Sequence, residues 1–152
     1  MKTTSCGILV LNGQAELLLC HATGTAYWDI PKGGMDPGET ECEAALRETS
    51  EETSLHFEPA QLLDLGRFLY RPGKDLYLFA ALTERVDTGR LVCRSHFVDH
   101  WGRSRPEMDG FAWTRFADVP QRCAKSMTAL LTRSLALPDV LHRLQGGRTS
   151  AL

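Results

Sequence analysis

The stretch at residues 31–55, PKGGMDPGETECEAALRETSEETSL, constrains this chain more than any other. A glycine-bearing loop, residues 32–38, leads directly into a helix start. Thr40 and Glu43 stand three apart, the spacing of a capping box in which the Thr40 hydroxyl accepts an amide proton and Glu43 reaches back. The helix that follows, ending near Thr53, puts Glu48, Glu51 and Glu52 on one narrow face, since positions i, i+3 and i+4 are neighbours on a helix surface. Cys42, Ala45, Leu46, Thr49 and Thr53 form the opposite, core-facing stripe. Three like charges on one face repel one another by a few tenths of a kcal/mol per pair. A divalent cation turns that repulsion into binding, because hard cations take oxygen ligands. The blander reading is a solvated face with Arg47 and Glu51 as an i,i+4 ion pair. The adjoining loop argues against it: Gly33, Gly34 and Gly38 let backbone come close to a ligand or metal, and Lys32 adds a point charge suited to phosphate.

Gly33, Glu39, Arg47-Glu48, Glu51-Glu52 and Leu55, at their spacing, resemble the signature of the Nudix hydrolase family. Two positions depart from it: Thr49 stands for an aliphatic residue and Ser54 for a glycine. The Ser54 position is one where a left-handed backbone is common, so serine there costs about 1 kcal/mol or the helix ends differently. Thr49 faces the core side, where its hydroxyl can bond the carbonyl of the preceding turn. Neither change removes an acid.

The resemblance implies an α/β class chain, a Nudix-type α/β/α sandwich with a mixed β-sheet. It implies Mg²⁺, with Mn²⁺ able to substitute, held by Glu48, Glu51 and Glu52 with a main-chain carbonyl near Lys32 or Gly33. One glutamate then orients or deprotonates water, and which one is left open; Arg47 positions a glutamate. Glu107, in RPEMDGFAW, is a further acid that such a site can recruit, with a plain surface acid as the alternative. Lys32, Gly33, Gly34 and Tyr70 are the expected substrate contacts. Tyr27, Tyr70 and Trp101 stand near loops where a base could stack. The lead-in Trp28-x-x-Pro31-Lys32-Gly33 is similar to that of dinucleoside-polyphosphate hydrolases; nucleoside triphosphates, nucleotide sugars, ADP-ribose and 5′-triphosphate RNA ends stay open. The expected reaction is cleavage of a diphosphate linkage in a nucleotide derivative. The alternative is a catalytically silent module that binds a nucleotide or a partner, a role that does not need three intact acids.

At 152 residues one domain is expected over 1–145, with a polar, mobile tail expected over 146–152. A net charge of −2 gives no support to non-specific nucleic-acid binding. The five arginines at 85, 90, 94, 103 and 105 are the best local source of charge for a long polyphosphate. No apolar run reaches a membrane span, the N-terminus turns polar too soon for a secretory signal, and five cysteines without paired spacing argue against a disulfide framework. The expectation is a soluble, reduced, cytoplasmic protein acting on a small-molecule nucleotide, with the homodimer left open as an oligomeric state.

Strands are expected over 6–11, 16–20, 27–30, 62–70, 75–82 and 111–116. Asn12-Gly13 signals a hairpin and Gly66 a bulge. Late helices are expected over 120–135, capped by Asp118, and 138–144. Strands, helix, strands, helix is the order of a mixed sheet with helices on its faces.

Overall fold

The computed structural model describes residues 2–146. The expected tail over 146–152 lies outside them apart from Gly146. Strand β1 (Thr3–Asn12) is the axis of the sheet, and every residue from Ser5 onward is buried. A strand buried on both faces reads as a near-continuous apolar run, which is the character of Cys6, Ile8, Leu9, Val10 and Leu11. β1 runs longer than expected because β6 (Lys74–Thr83) pairs with it in parallel from Thr3↔Lys74 to Asn12↔Thr83.

The other edge of β1 is shared by two strands. β4 (Lys32–Gly34) pairs antiparallel with residues 5–7. β2 (Glu16–Ala22) pairs with β1 only at Leu11 and Asn12. It then peels away to pair with β9 (Met108–Arg115) on one side and β3 (Trp28–Asp29) on the other. β5 (Leu63–Arg71) closes the far edge on β6, with the expected bulge at Gly66, whose φ is 94°. The close approach of β4 depends on Gly7, where a side chain would run into the Pro31 carbonyl and the Lys32 side chain.

Helix α1 (Glu41–Thr53) covers one face of the sheet over Cys6, Ile8, Val10, Leu18, Phe79 and Trp113. Helices α2 (Val119–Arg122), α3 (Lys125–Ala129) and α4 (Leu137–Leu144) cover the other, over Leu9, Leu17, Leu19, Leu76 and Leu78. The chain is an α/β/α sandwich around a mixed sheet. No helix among the described residues is long and apolar enough to cross a membrane.

Several local expectations change. The hairpin at Asn12-Gly13 forms, but the residue with positive φ is Ala15, at 62°, and not Gly13. Asn12 uses its side chain to close the turn, accepting from the Gln14 N–H and donating to Glu16, each at 2.9 Å. The start of the glycine loop is strand β4. The expected helix over 120–135 is broken at Cys123, whose backbone is extended (φ −91°, ψ 153°) and bridges to Trp28. Asp118 does not cap it; its carboxylate accepts from Arg115 at 3.0 Å. After α3 the chain widens into a π turn at Leu130–Ser134. The poorly patterned segment after Thr83 contains a small hairpin, β7 (His96–Val98) and β8 (Ser104–Pro106).

Candidate active site

The capping box that starts α1 is present: Thr40 Oγ1 accepts from the Glu43 N–H at 3.1 Å, and Glu43 Oε1 accepts from the Thr40 N–H at 2.9 Å. It fixes the rotation of the helix, and so which side chains meet β4. Glu48 lies directly above Gly33, where any Cβ would overlap its carboxylate. This is the close approach that glycine permits at this position.

Arg47 gathers the rest of the loop. Its Nε and Nη2 fork onto Glu39 at 2.7 and 3.0 Å, and Nη2 also donates to the Gly34 carbonyl at 2.9 Å. Nη1 reaches Glu48 Oε2 at 3.1 Å and Glu51 Oε1 at 3.3 Å, and Asp36 lies 3.3 Å from Nε. Hydrogen bonding to Arg47, and then to the Asp36 N–H, holds the Glu39 carboxyl below the usual range. Glu39 and Asp36 were missed as functional residues by sequence reasoning. The signal available was Glu39 at its signature position, but the eight-residue separation from Arg47 gives no helical pairing to read.

The three helix acids are not equivalent. Glu52, expected as a metal ligand on the acidic face, is 2 % exposed. One oxygen, Oε1, accepts from the Lys32 backbone N–H at 3.1 Å. Burial pushes its carboxyl up to about 8, reinforced by the charges of Glu48 and Glu107 and opposed by the Lys32 hydrogen bond. Burial also raises Glu48, against the pull of Arg47.

Lys32 enters the acidic pocket through its backbone alone. Successive strand residues point to opposite faces, so with Gly33 facing Glu48 the Lys32 side chain lies on the far side of β4. There its ammonium pairs with Asp29 at 3.2 Å. Burial works against its charge, but Asp29 holds its pKa above the ordinary value. The point charge expected to meet phosphate is therefore turned toward Asp29, and it is the Lys32 main chain that meets the acids. Tyr70 belongs to the Lys32 side as well: it packs on the core under α2–α4, and burial and Asp29 raise its phenol.

The helix end explains how Glu107 comes near. Ser54 adopts the left-handed conformation, φ 66°, as a glycine would, and its N–H donates to the Ser50 carbonyl at 2.9 Å. The last carbonyls of a helix lack partners within it. Here the Val92 and Arg94 N–H groups supply them to Thr53 and Glu51, at 3.3 and 2.6 Å, while the Arg94 guanidinium reaches the Ser50 carbonyl at 3.0 Å. The later segment is thus drawn over the C-terminal end of α1. At the base of the β7–β8 hairpin, Glu107 donates its N–H to Ser95 at 2.9 Å and accepts from the Thr23 N–H at 3.1 Å. Its charge raises both Glu48 and Glu52.

Two other arginines of this segment pair with acids away from α1: Arg85 with Glu16 at 2.7 Å, and Arg105 with Asp99 at 3.6 Å. Thr49 also differs from expectation. Its buried hydroxyl has no hydrogen-bond partner among the described residues, and it is Thr53 that bonds back, to the Thr49 carbonyl at 2.7 Å. An unmet buried hydroxyl costs about 1–3 kcal/mol.

Among the described residues no three acidic, histidine or cysteine side chains are grouped closely enough to hold a metal ion as they are placed. The donor set nevertheless fits a hard cation. It offers carboxylate oxygens, it carries more negative charge than Arg47 neutralises, and it includes a buried carboxyl whose ionised form a nearby cation would stabilise.

A family model described as NUDIX domain matches residues 1–133. The 17.7 kDa protein of the e-segB intergenic region of Enterobacteria phage T4 is 37% identical over 123 residues, covering 74% of this chain and 82% of that protein. The RNA pyrophosphohydrolase of Yersinia enterocolitica is 30% identical over 118 residues, covering 72% of this chain and 67% of that enzyme. Among solved structures, a C. elegans Ap4A hydrolase has a TM-score of 0.64 at 24% identity, covering 93% of this chain and 98% of the other. The NUDIX domain of Shewanella oneidensis NrtR, solved with ADP ribose, has a TM-score of 0.68 at 15% identity, covering 93% and 89%. These two likenesses speak for the fold. Together with the family match over most of its length, they accompany the glycine strand and acidic helix derived above: this chain belongs to the Nudix hydrolase family.

Proposed function

We propose that this protein is a Mg²⁺-dependent hydrolase that cleaves a diphosphate linkage in a nucleoside polyphosphate, with dinucleoside polyphosphates the leading substrate class. The observation that carries this reading is the Glu52 carboxyl, buried beside Glu48, with one oxygen fixed by the Lys32 N–H. Burying an acid next to two others carries a desolvation cost that falls on its ionised form, and a bound cation offsets it.

Glu48, Glu51 and Glu52 would hold the metal, with a main-chain carbonyl near Lys32 or Gly33 as a further oxygen. When bound, Mg²⁺ screens the acids from an anionic diphosphate, lowers the pKa of a bound water and stabilises charge on the attacked phosphorus. Arg47 sets the direction of Glu48 and Glu51, and Gly33 keeps the space above β4 open for the Glu48 carboxylate. Gly33 and Gly34 bring main chain to the substrate. Support for the leading substrate class comes from the Trp28-x-x-Pro31-Lys32-Gly33 lead-in. A second reading, removal of diphosphate from 5′-triphosphate RNA ends, is favoured by the 30% identity to an enzyme of that name.

The test is release of phosphate or nucleotide from a panel of dinucleoside polyphosphates, nucleoside triphosphates, ADP-ribose and 5′-triphosphate RNA, in Mg²⁺ and in excess chelator. Turnover of at least one substrate in Mg²⁺ and none in chelator is expected. Binding without turnover across the panel would instead describe a silent module.

Glu107 gives a finer expectation. Glu107→Gln should raise the Mg²⁺ concentration needed for half-maximal rate, with a smaller loss of maximal rate than any change at Glu48, Glu51 or Glu52. An unchanged Mg²⁺ titration would make Glu107 a surface acid.

A further inference from the structure

The last turn of α1 carries no basic residue of its own. The carbonyl end of a helix is its negative pole and favours a cation. Arg94, 44 residues beyond Ser50, supplies one from outside the helix. Its Nη2 donates to the Ser50 carbonyl at 3.0 Å and to the Ser50 hydroxyl at 2.6 Å. That hydroxyl lies 3.2 Å from His56 Nδ1, a partner for its own proton. The Arg94 backbone N–H donates to the Glu51 carbonyl at 2.6 Å. Side chain and main chain together grip the two peptide units that lead into Glu51 and Glu52.

The grip reaches Glu107 through the residues on either side of Arg94. The Ser95 carbonyl accepts the Glu107 N–H at 2.9 Å, and Cys93 Sγ accepts the Met108 N–H at 3.4 Å. The Cys93 thiol donates in turn to the Ser95 carbonyl at 3.3 Å, which ties the two contacts together. Glu107 is thus fastened to residues 93–95, and those residues to the end of α1. The Arg94 guanidinium is spent on a carbonyl and a hydroxyl. It ties the segment down without pairing with Glu48, Glu51, Glu52 or Glu107.

We propose that Arg94 is a positioning residue for the acidic site: it clasps residues 92–95 to the C-terminal end of α1 and so holds Glu107 over the acidic helix. The inference rests on the reading of these acids as a Mg²⁺ site. It adds a residue far outside the 31–55 stretch, one that acts on the metal only through another side chain. Groups that orient metal-binding side chains from outside the coordination sphere change metal affinity by roughly 10–100-fold when removed. A clasp that acts through one peripheral acid belongs at the low end of that range.

The probe is Mn²⁺, the expected substitute for Mg²⁺, titrated into the substrate-free chain with free ion counted by electron paramagnetic resonance. Backbone hydrogen exchange in chelator gives a second, metal-free readout. Arg94→Ala should weaken Mn²⁺ binding by roughly tenfold. It should also speed exchange of the Glu107 and Thr23 N–H groups, while the Glu43 N–H at the start of α1 keeps its wild-type rate. Arg94→Lys keeps a cation and its donors at the helix end and should recover part of both losses. In a Glu107→Gln background, Arg94→Ala should weaken Mn²⁺ binding by no more than about twofold, because the two changes act through one carboxylate. Arg103→Ala removes an equal charge from the exposed connection between β7 and β8 and should leave Mn²⁺ binding as it was. Should Arg94→Ala fail to fold, Arg94→Gln replaces it with the same expected outcomes. A lower melting temperature with unchanged Mn²⁺ affinity makes Arg94 merely structural and overturns the proposal. So does the full loss of affinity in the Glu107→Gln background, or an equal loss in Arg103→Ala. A wild type that binds Mn²⁺ and hydrolyses the nucleotide panel, beside an Arg94→Ala variant of unaltered affinity, removes this inference and leaves the hydrolase reading standing. A wild type that binds no Mn²⁺ removes both.

Discussion

Glu52→Gln is expected to lower turnover by orders of magnitude and, in chelator above neutral pH, to make the protein more stable than the wild type. Both effects follow from one buried group. In the fold Glu52 titrates at about 8, against an ordinary value of 4.5. Between those two pH values the unfolded chain has lost the proton that the fold still keeps. Stability therefore falls as pH rises through this window, and the full cost is present above about pH 8. Glutamine carries no charge at any pH, so that decline should disappear. It also keeps an oxygen for the Lys32 N–H, which preserves the local fold. A cation selects the ionised acid, so Mg²⁺ should restore wild-type stability at alkaline pH and release a proton on binding. Thermal unfolding at pH 6 and pH 8.5, with chelator or Mg²⁺, reads all of this. Near-normal turnover in Glu52→Gln, or a wild-type melting temperature indifferent to pH in chelator, would remove Glu52 from the proposed site.

The second large effect is expected at Arg47. The guanidinium serves Glu39 through two nitrogens, Glu48 and Glu51 through a third donor direction, and the Gly34 carbonyl besides. Arg47→Ala leaves three carboxylates close together with no counter-charge and frees the loop that Glu39 ties to α1. Activity should fall by roughly 10–100-fold, the usual scale for losing a residue that orients metal-binding acids. Cleavage by protease within residues 34–39 should accelerate, since this loop loses its main tether. Arg47→Lys separates charge from geometry. An ammonium replaces the charge but not the planar fork that spans Glu39 and Glu48 at once, so most of the defect should persist. Full rescue by lysine would mean that charge alone matters here. A silent alanine variant would mean that the network is incidental to function.

The sequence alone determined the local chemistry. The capping box at Thr40 and Glu43, the glycines before it and the spacing of Arg47, Glu48, Glu51 and Glu52 are properties of neighbouring residues, and helical periodicity converts them directly into a shared face. The hairpin of β5 and β6 and the Gly66 bulge were legible for the same reason: alternation and turn chemistry act over a few residues. Tertiary structure decided what each acid experiences. Helical periodicity placed Glu52 with Glu48 and Glu51, but only the packing of α1 against β4 buries it and raises its pKa. The alternation of β4 could have warned that Lys32 and Gly33 face opposite ways, had residues 32–34 been read as a strand; their pairing with β1 comes from a partner some 27 residues away. The helix over 120–135 failed on a long-range bridge, Trp28 to Cys123, that no local pattern carries. Most of all, the segment after Thr83 has no periodicity to read. Its course is set by the unpaired carbonyls at the end of α1, which Val92 and Arg94 satisfy. That demand exists only once the helix is formed and placed, and it is what carries Glu107 and the β7–β8 hairpin to the acidic pocket.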